Sequence, residues 1–249
     1  HAKYVLVDDC AYYVGSANFD WRSLEHIQEL GVTAHDPAVG GSLGRLFDLD
    51  WGLARSEPGR APTTGAEAVL LALPFPEVPA LVVSPPALLP TGGHVELDAI
   101  VHALDAARAS VEVELLDYEP TFRDGSPFKV LDDALRRAAG RGVAVRLLLS
   151  SWSTTVKKVA GLRELVRTPG IEVRIFTVPE HSSGFIPFAR TLHAKYLVVD
   201  RTSLWLGSSN WSGDYFVHSR NASIVTTRAP LVGAVGAIFD RLFASPLAA

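Results

Sequence analysis

His193-Ala194-Lys195-Tyr196-Leu197-Val198-Val199-Asp200, with Gly207-Ser208-Ser209-Asn210 beginning seven positions beyond the aspartate, is the stretch that decides the fold. The chain opens on a second copy: His1-Ala2-Lys3-Tyr4-Val5-Leu6-Val7-Asp8, then Gly15-Ser16-Ala17-Asn18 at the same spacing. The offset is 192 residues throughout. Without a gap it also aligns Phe47 with Phe239 and Asp48 with Asp240. Six fixed residues at about one in twenty each recur by chance at roughly 10⁻⁸ per starting position. The repeat is therefore a whole structural half, and such repeats set the architecture.

Each copy reads as two short strands joined by a tight turn: residues 3–8 and 12–16 in the first, 195–200 and 204–208 in the second. Residues 36–55 and 229–244 read as closing helices. Ahead of His193, helices at 96–110, 127–140 and 155–167 alternate with strands at 111–117, 143–150 and 171–178. That order predicts an α/β layered fold with a largely parallel sheet. Nothing comparable stands before His1. The reading is thus a bilobal α/β fold with two pseudo-symmetric mixed-sheet lobes, the first incomplete. Residues 1–60 are the C-terminal remainder of the first lobe, 61–92 a Pro-rich inter-lobe connection, and 93–249 the second lobe. The 249 residues contain no methionine, which also points to a fragment without its N-terminal portion.

Composition bounds the function. Apolar residues make up 48% and charged residues 20%, so a packed core is available and disorder is excluded. The net charge of −4 argues against a strongly basic surface that coats nucleic acid, though not against a small cationic pocket. The single cysteine, Cys10, excludes an intrachain disulfide and a multi-cysteine zinc site. The most apolar long stretch, 69–90, carries six prolines and cannot form a regular membrane-spanning helix.

Residues i and i+2 of a strand share a face, so His1 and Lys3 point together, as do His193 and Lys195. Two such sets facing each other make a pocket with two imidazoles, two ammonium groups and two carboxamides. Those groups suit a phosphodiester. Lysine and asparagine donors hold the non-bridging oxygens. One histidine can attack phosphorus. The other can protonate the leaving oxygen and then activate water. The lysines supply the positive charge, so the expectation is no metal and no cofactor.

The paired His-x-Lys-x4-Asp and Gly-Ser-x-Asn blocks resemble the phospholipase D superfamily. Gly15 through Leu24, Glu29-Leu30-Gly31, Ser84-Pro85-Pro86, Tyr118-Glu119-Pro120-Thr121, Ile186 through Arg190 and Gly207 through Phe216 narrow the likeness. They are similar to the branch that holds the lysosomal phospholipase-D-like 5′ exonucleases and the poxviral envelope phospholipase. The resemblance implies one active site between two lobes, a phosphohistidine intermediate and no metal. It implies that His1 and His193 carry the chemistry, that Lys3, Lys195, Asn18 and Asn210 hold the phosphoryl group, and that Ser16 and Ser208 support them. Glu29 resembles the acidic residue that orients a catalytic imidazole. Its repeat counterpart is Asn221, so that role is not symmetric. The analogy favours His1 as the nucleophile. Asp8 and Asp200 read as structural anchors of strand ends.

Around the expected mouth, Tyr118, Trp152, Phe185 and Arg190 are the substrate-binding candidates. Aromatic faces there would stack bases or line an acyl groove. Trp211 and Phe216 read as core. The remaining histidines and Cys10, whose repeat mate is Thr202, read as packing or surface residues. The expected partner is a phosphodiester, either single-stranded nucleic acid, favoured by the branch, or a phospholipid, which would bring association with a membrane. A non-catalytic membrane or envelope scaffold is the reading from another class.

Overall fold

The computed structural model describes residues 1–55, 68–155 and 158–249. The expected lobe boundary at residue 60, and the Pro/Gly/Thr-rich run around it, lie outside the described residues. The chain runs β1 (Tyr4–Val7), β2 (Ala11–Gly15), α1 (Trp21–Glu25), β3 (Gly31–His35) and α2 (Pro37–Arg55). After the undescribed stretch come β4 (Ala80–Ser84), β5 (His94–Val95), α3 (Glu96–Ala106), β6 (Ser110–Leu115), α4 (Val130–Gly140), β7 (Ala144–Ser150), α5 (Val159–Val166) and β8 (Ile171–Phe176). The last five elements are β9 (Tyr196–Val199), β10 (Ser203–Gly207), α6 (Gly213–Val217), β11 (Asn221–Thr226) and α7 (Ala229–Phe243). No helix among the described residues is long and apolar enough to cross a membrane.

Two sheets form. β1-β2-β3 is a three-stranded antiparallel sheet, and the second has eight strands in the order β5-β4-β11-β10-β9-β6-β7-β8. The large sheet is mixed, not largely parallel. β6, β7 and β8 run parallel, as do β4 and β5, whereas β6-β9-β10-β11-β4 is antiparallel throughout. The reason is the repeated unit. Each motif is a hairpin, which forces antiparallel pairing, and only the helix-linked strands ahead of it are free to pair in parallel. β4 lies inside the stretch assigned to the inter-lobe connection, yet it pairs with β11 from Ala80 to Ser84. That part of the assignment is corrected: residues 80–84 belong to the large sheet.

The central strands are buried on both faces, which explains their unbroken apolar runs. Leu197, Val199, Trp205 and Val225 point into a core shared with α3 and α4. Their alternating neighbours Tyr196, Val198, Leu204, Leu206, Ala222 and Ile224 point into a second core with α7 and with Tyr12, Val14, Val32, Val39, Leu43 and Leu46 from the first half. The small sheet thus packs face to face against the large one, and this second core holds the two motif copies together. β9 pairs on its outer side with β6. Its repeat mate β1 has no such partner among the described residues, and Val5 and Val7 stand 46% and 52% exposed where Leu197 and Val199 are buried.

The motif aspartates close the hairpins. Asp8 and Asp9, and Asp200 and Arg201, all have φ near +50°, the pattern of a type I′ turn, in which both central residues are left-handed. Aspartate tolerates that region better than most residues. Asp200 also accepts the backbone N–H groups of Arg108, Ala109 and Ser110 at 2.7–3.2 Å, tying the turn to the start of β6. Asp8 finds no such donors among the described residues.

Candidate active site

Both histidines stand just ahead of their strands, at the seam between the sheets. The seam is made by main chain. Gln28 O accepts His193 N–H at 2.9 Å, and at the repeat-equivalent position Arg220 O accepts Ala2 N–H at 2.9 Å and the His1 amino group at 2.7 Å. Each motif is therefore hung from the opposite half. The residue that follows each of those carbonyls then meets the imidazole. His193 Nδ1 lies 2.8 Å from Glu29 Oε1, and His1 Nδ1 lies 2.9 Å from Asn221 Oδ1.

The motif serines set these partners. Ser16 Oγ donates to Glu29 Oε2 at 2.6 Å, and Ser208 Oγ donates to Asn221 Oδ1 at 3.0 Å. Each serine oxygen also accepts a backbone N–H, from Leu30 and Ala222 respectively. A glycine must precede each serine because neighbouring atoms crowd in. A Cβ on Gly207 would lie 1.7 Å from Ser223 Oγ, and one on Gly15 would lie 2.6 Å from Gly31 Cα.

Each lysine reaches back to the main chain of its own histidine. Lys3 Nζ donates to His1 O and Lys195 Nζ to His193 O, both at 2.5 Å. Lys3 is 7% exposed and Lys195 1%. Burial pulls Lys3 down to about 8 and Lys195 to about 7, with Glu29 pulling the other way in both. Burial also pushes the Glu29 carboxyl up, but the His193 hydrogen bond and charge, the Ser16 hydroxyl and Lys195 outweigh it, leaving it below the usual carboxylate range. Burial, aided by Lys195 and Lys3, holds His193 below the ordinary histidine value against the pull of Glu29. At neutral pH the pair is therefore a neutral imidazole donating Nδ1–H to a carboxylate, with Nε2 carrying its lone pair.

The structure thus gathers Ser16, Glu29, His193 and Lys195 into one hydrogen-bonded set and His1, Lys3 and, through Asn221, Ser208 into a second, with Lys3 near enough to act on the charges of Glu29, His193 and Lys195. Asn210 is buried, and its Oδ1 has no hydrogen-bond partner among the described residues; Asn18, its repeat mate, is half-buried. Asp8 and Asp200 belong to the turns, away from the cluster.

The mouth residues divide. Phe185 is 77% exposed and Trp152 half-buried, so both present surface. Tyr118 is corrected. It is 1% exposed and its hydroxyl donates to the buried Asp132, so it is a core residue with no face for a ligand. Arg190 is half-buried. Its Nε donates to Pro179 O at 2.8 Å and its N–H to His26 O at 3.0 Å, which fastens its loop onto the first half.

Two contributors, Ser23 and Tyr215, were not singled out from the sequence, and Asn221 was marked there only as the repeat counterpart of Glu29. Ser23 Oγ gives Glu29 a further donor at 3.0 Å. Asn221 Nδ2 donates to Tyr215 O, Ser219 O and Ser84 Oγ, so its oxygen is turned toward His1. The Tyr215 ring meets His1 edge-on at 4.8 Å between centroids. The 192-residue offset was the available signal for Asn221, since it maps that residue onto Glu29.

Residues 1–51 and 100–243 match the family model described as cardiolipin synthase, PLD-like domain. The 5'-3' exonuclease PLD3 of Pongo abelii is 35% identical over 272 residues, covering 99% of this chain and 55% of that protein. The 5'-3' exonuclease PLD4 of Mus musculus is 36% identical over 250 residues, covering 92% and 50%. The chain spans about half the length of these curated relatives. Among solved structures, NucT from Helicobacter pylori superposes with a TM-score of 0.54 at 20% identity, covering 66% of this chain and 94% of that one, a likeness of fold. With the repeated motif, the mixed α/β architecture and a family match over most of its length, the chain belongs to the phospholipase D-like (PLD-like) domain family.

Proposed function

We propose that this chain builds the centre of a phosphodiesterase that acts through a phosphohistidine and removes nucleotides from the 5′ end of single-stranded nucleic acid. The observation that carries this reading is the pair of cross-seam contacts, Glu29 to His193 and Asn221 to His1. Each fixes Nδ1 as the protonated nitrogen and leaves Nε2 for chemistry, one ring to attack and one to transfer protons. Lys3, Lys195, Asn18 and Asn210 hold the phosphoryl oxygens and stabilise the charge that grows on them. Proton transfer of this kind contributes typically about 10²–10⁴-fold in rate. The two buried ammonium groups stand where a metal would otherwise supply positive charge.

The substrate class is supported by the relatives, two of which carry the name 5'-3' exonuclease. An end-binding enzyme needs few phosphate contacts, which fits a net charge of −4. The test is incubation of the protein, expressed in its complete reading frame and with EDTA present, with 5′-hydroxyl single-stranded DNA and separately with phosphatidylcholine. Shortening from the 5′ end that is lost in His193→Ala is the expected result. Choline release instead moves the substrate to phospholipid. Inertness toward both across about pH 5–8, where histidine titrates, refutes the enzymatic reading.

A further inference from the structure

We propose that Glu96, a buried carboxylate behind the second motif copy, is a positioning residue: through the Ser209 hydroxyl it aims the neighbouring Asn210 at the phosphoryl group. This rests on the phosphodiesterase reading above, which gives Asn210 that task.

Glu96 opens α3 and is fully buried. Ser209 Oγ donates to its Oε2 at 2.6 Å, and Ser223 Oγ donates to its Oε1. Ser84 and Trp205 also favour its charged form, yet burial outweighs all four and pushes the carboxyl above its ordinary range. These four partners are neutral. Resting a buried carboxylate on neutral donors alone is costly, and departures of this kind gather where a site must be held. The first copy does without the two serines. It carries Ala17 and Gly31 where the second has Ser209 and Ser223, and Tyr13 Cε2 lies 2.2 Å from where a Cβ on Gly31 would stand. The hydroxyls are therefore not required to form the hairpin or the strand that follows it.

What they hold is Asn210. β10 ends at Gly207, so Ser209 and Asn210 lie past its ladders. Asn210 is 4% exposed, and its Oδ1 has no hydrogen-bond partner among the described residues. The amide is thus not aimed by a bond at its own oxygen. Its direction comes from the main chain, and the residue immediately before it is clamped to Glu96. Ser223 ties the same carboxylate to β11, two residues beyond Asn221. Ser84, whose Oγ accepts Asn221 Nδ2 at 3.2 Å, is a further neighbour of Glu96. Glu96 therefore fixes Asn210 relative to the strand that carries the partner of His1. A donor that stabilises charge growing in the transition state must be in place before the reaction begins, and a rigid buried anchor supplies that.

The probe is hydrolysis of bis(p-nitrophenyl) phosphate by the protein in its complete reading frame, with EDTA present. Ser209→Ala installs the residue that the first copy carries at that position, so the backbone tolerates it. It is expected to lower kcat about tenfold with KM within about twofold, because the misplaced donor is missed in the transition state. Glu96→Gln should do the same. Asn210→Ala should cost about 100-fold in kcat, the loss of one such donor. The deciding measurement is a double-mutant cycle. In the Asn210→Ala background, Ser209→Ala should change kcat by less than about twofold, since the group it aims is gone. A purely structural role for Glu96 lowers kcat equally in both backgrounds, so additive losses overturn the proposal, as does an unchanged kcat in Ser209→Ala. Should Glu96→Gln fail to fold, the Ser209 cycle decides alone. An unsubstituted protein that releases no p-nitrophenolate refutes the phosphodiesterase reading itself, and the task of Asn210 with it.

Discussion

Lys195 shows what the site costs the fold. Its ammonium is fully buried, the one hydrogen bond it makes among the described residues is to the His193 carbonyl, and its proton affinity falls to about 7. A lysine so lowered binds fewer protons folded than unfolded between about 7 and 10.4, so stability rises with pH through that window. Lys195→Met keeps the stem and removes the charge. It is expected to abolish activity while raising Tm by several degrees, since relieving a buried ammonium is worth about 3–5 kcal/mol at most. A calorimetric scan beside an activity assay checks both, and a lowered Tm would contradict the argument. The same lysines set the alkaline limb. With Lys3 near 8 and Lys195 near 7, kcat/KM should fall as pH rises from 7 past 8, because the free enzyme loses the charges that the proposed function assigns to capture of the phosphoryl group. kcat should fall less, since a bound anion holds those protons on. The acid limb should lie below the ordinary histidine value, because His193 stays neutral further down.

Among the elements, the turn aspartates separate two residues that look identical in the repeat. Both sit in left-handed turn positions, but only Asp200 gathers three backbone N–H groups. Hydrogen bonds to a charged group contribute about 1.5–3 kcal/mol each when counted singly. Asp200→Ala should therefore destabilise this chain by about 2–4 kcal/mol in urea unfolding, and Asp8→Ala by under about 0.5 kcal/mol. Equal losses would mean that the turn conformation, not the tether, is what the aspartate supplies. This contrast also marks how far the sequence could be read. The hairpins, the closing helices and the motif histidines and lysines were legible because a period of two and a fixed offset are local signals. The strand at Ala80–Ser84 was hidden by prolines on both sides, and its pairing with β11 is a long-range contact. Tyr118 was misread because only the fold brings Asp132 to its hydroxyl. Glu29 was found by likeness, whereas Asn221 had only its offset to mark it.

At the scale of the molecule, chemistry depends on two halves holding register to a fraction of an ångström, and one ion pair spans them away from the rings. Arg220 grips Asp50 of α2 through Nε and a terminal nitrogen at 2.9–3.0 Å, while another nitrogen donates to Ser84 O at 2.9 Å. Its own carbonyl receives Ala2 N–H, and the next residue is Asn221, which holds His1. The pair is only partly buried, with side chains 13% and 34% exposed, so solvent screening limits its worth. A coupling of about 1–2 kcal/mol is expected from a double-mutant cycle of Asp50→Ala and Arg220→Ala, above the usual surface pair and below a dry one. Asp50 touches neither imidazole, so a purely structural role predicts a lower Tm with kcat unchanged. If the pair instead fixes the Arg220 carbonyl, and through it the height of His1 over the seam, Asp50→Ala should lower kcat about tenfold with KM nearly constant, because a small misplacement of a reacting group is felt in the transition state. It should leave the kcat/KM decline above pH 7 unchanged, since Lys3 and Lys195 are untouched. An unaltered kcat would mean that the shared core between the two sheets holds the register by itself.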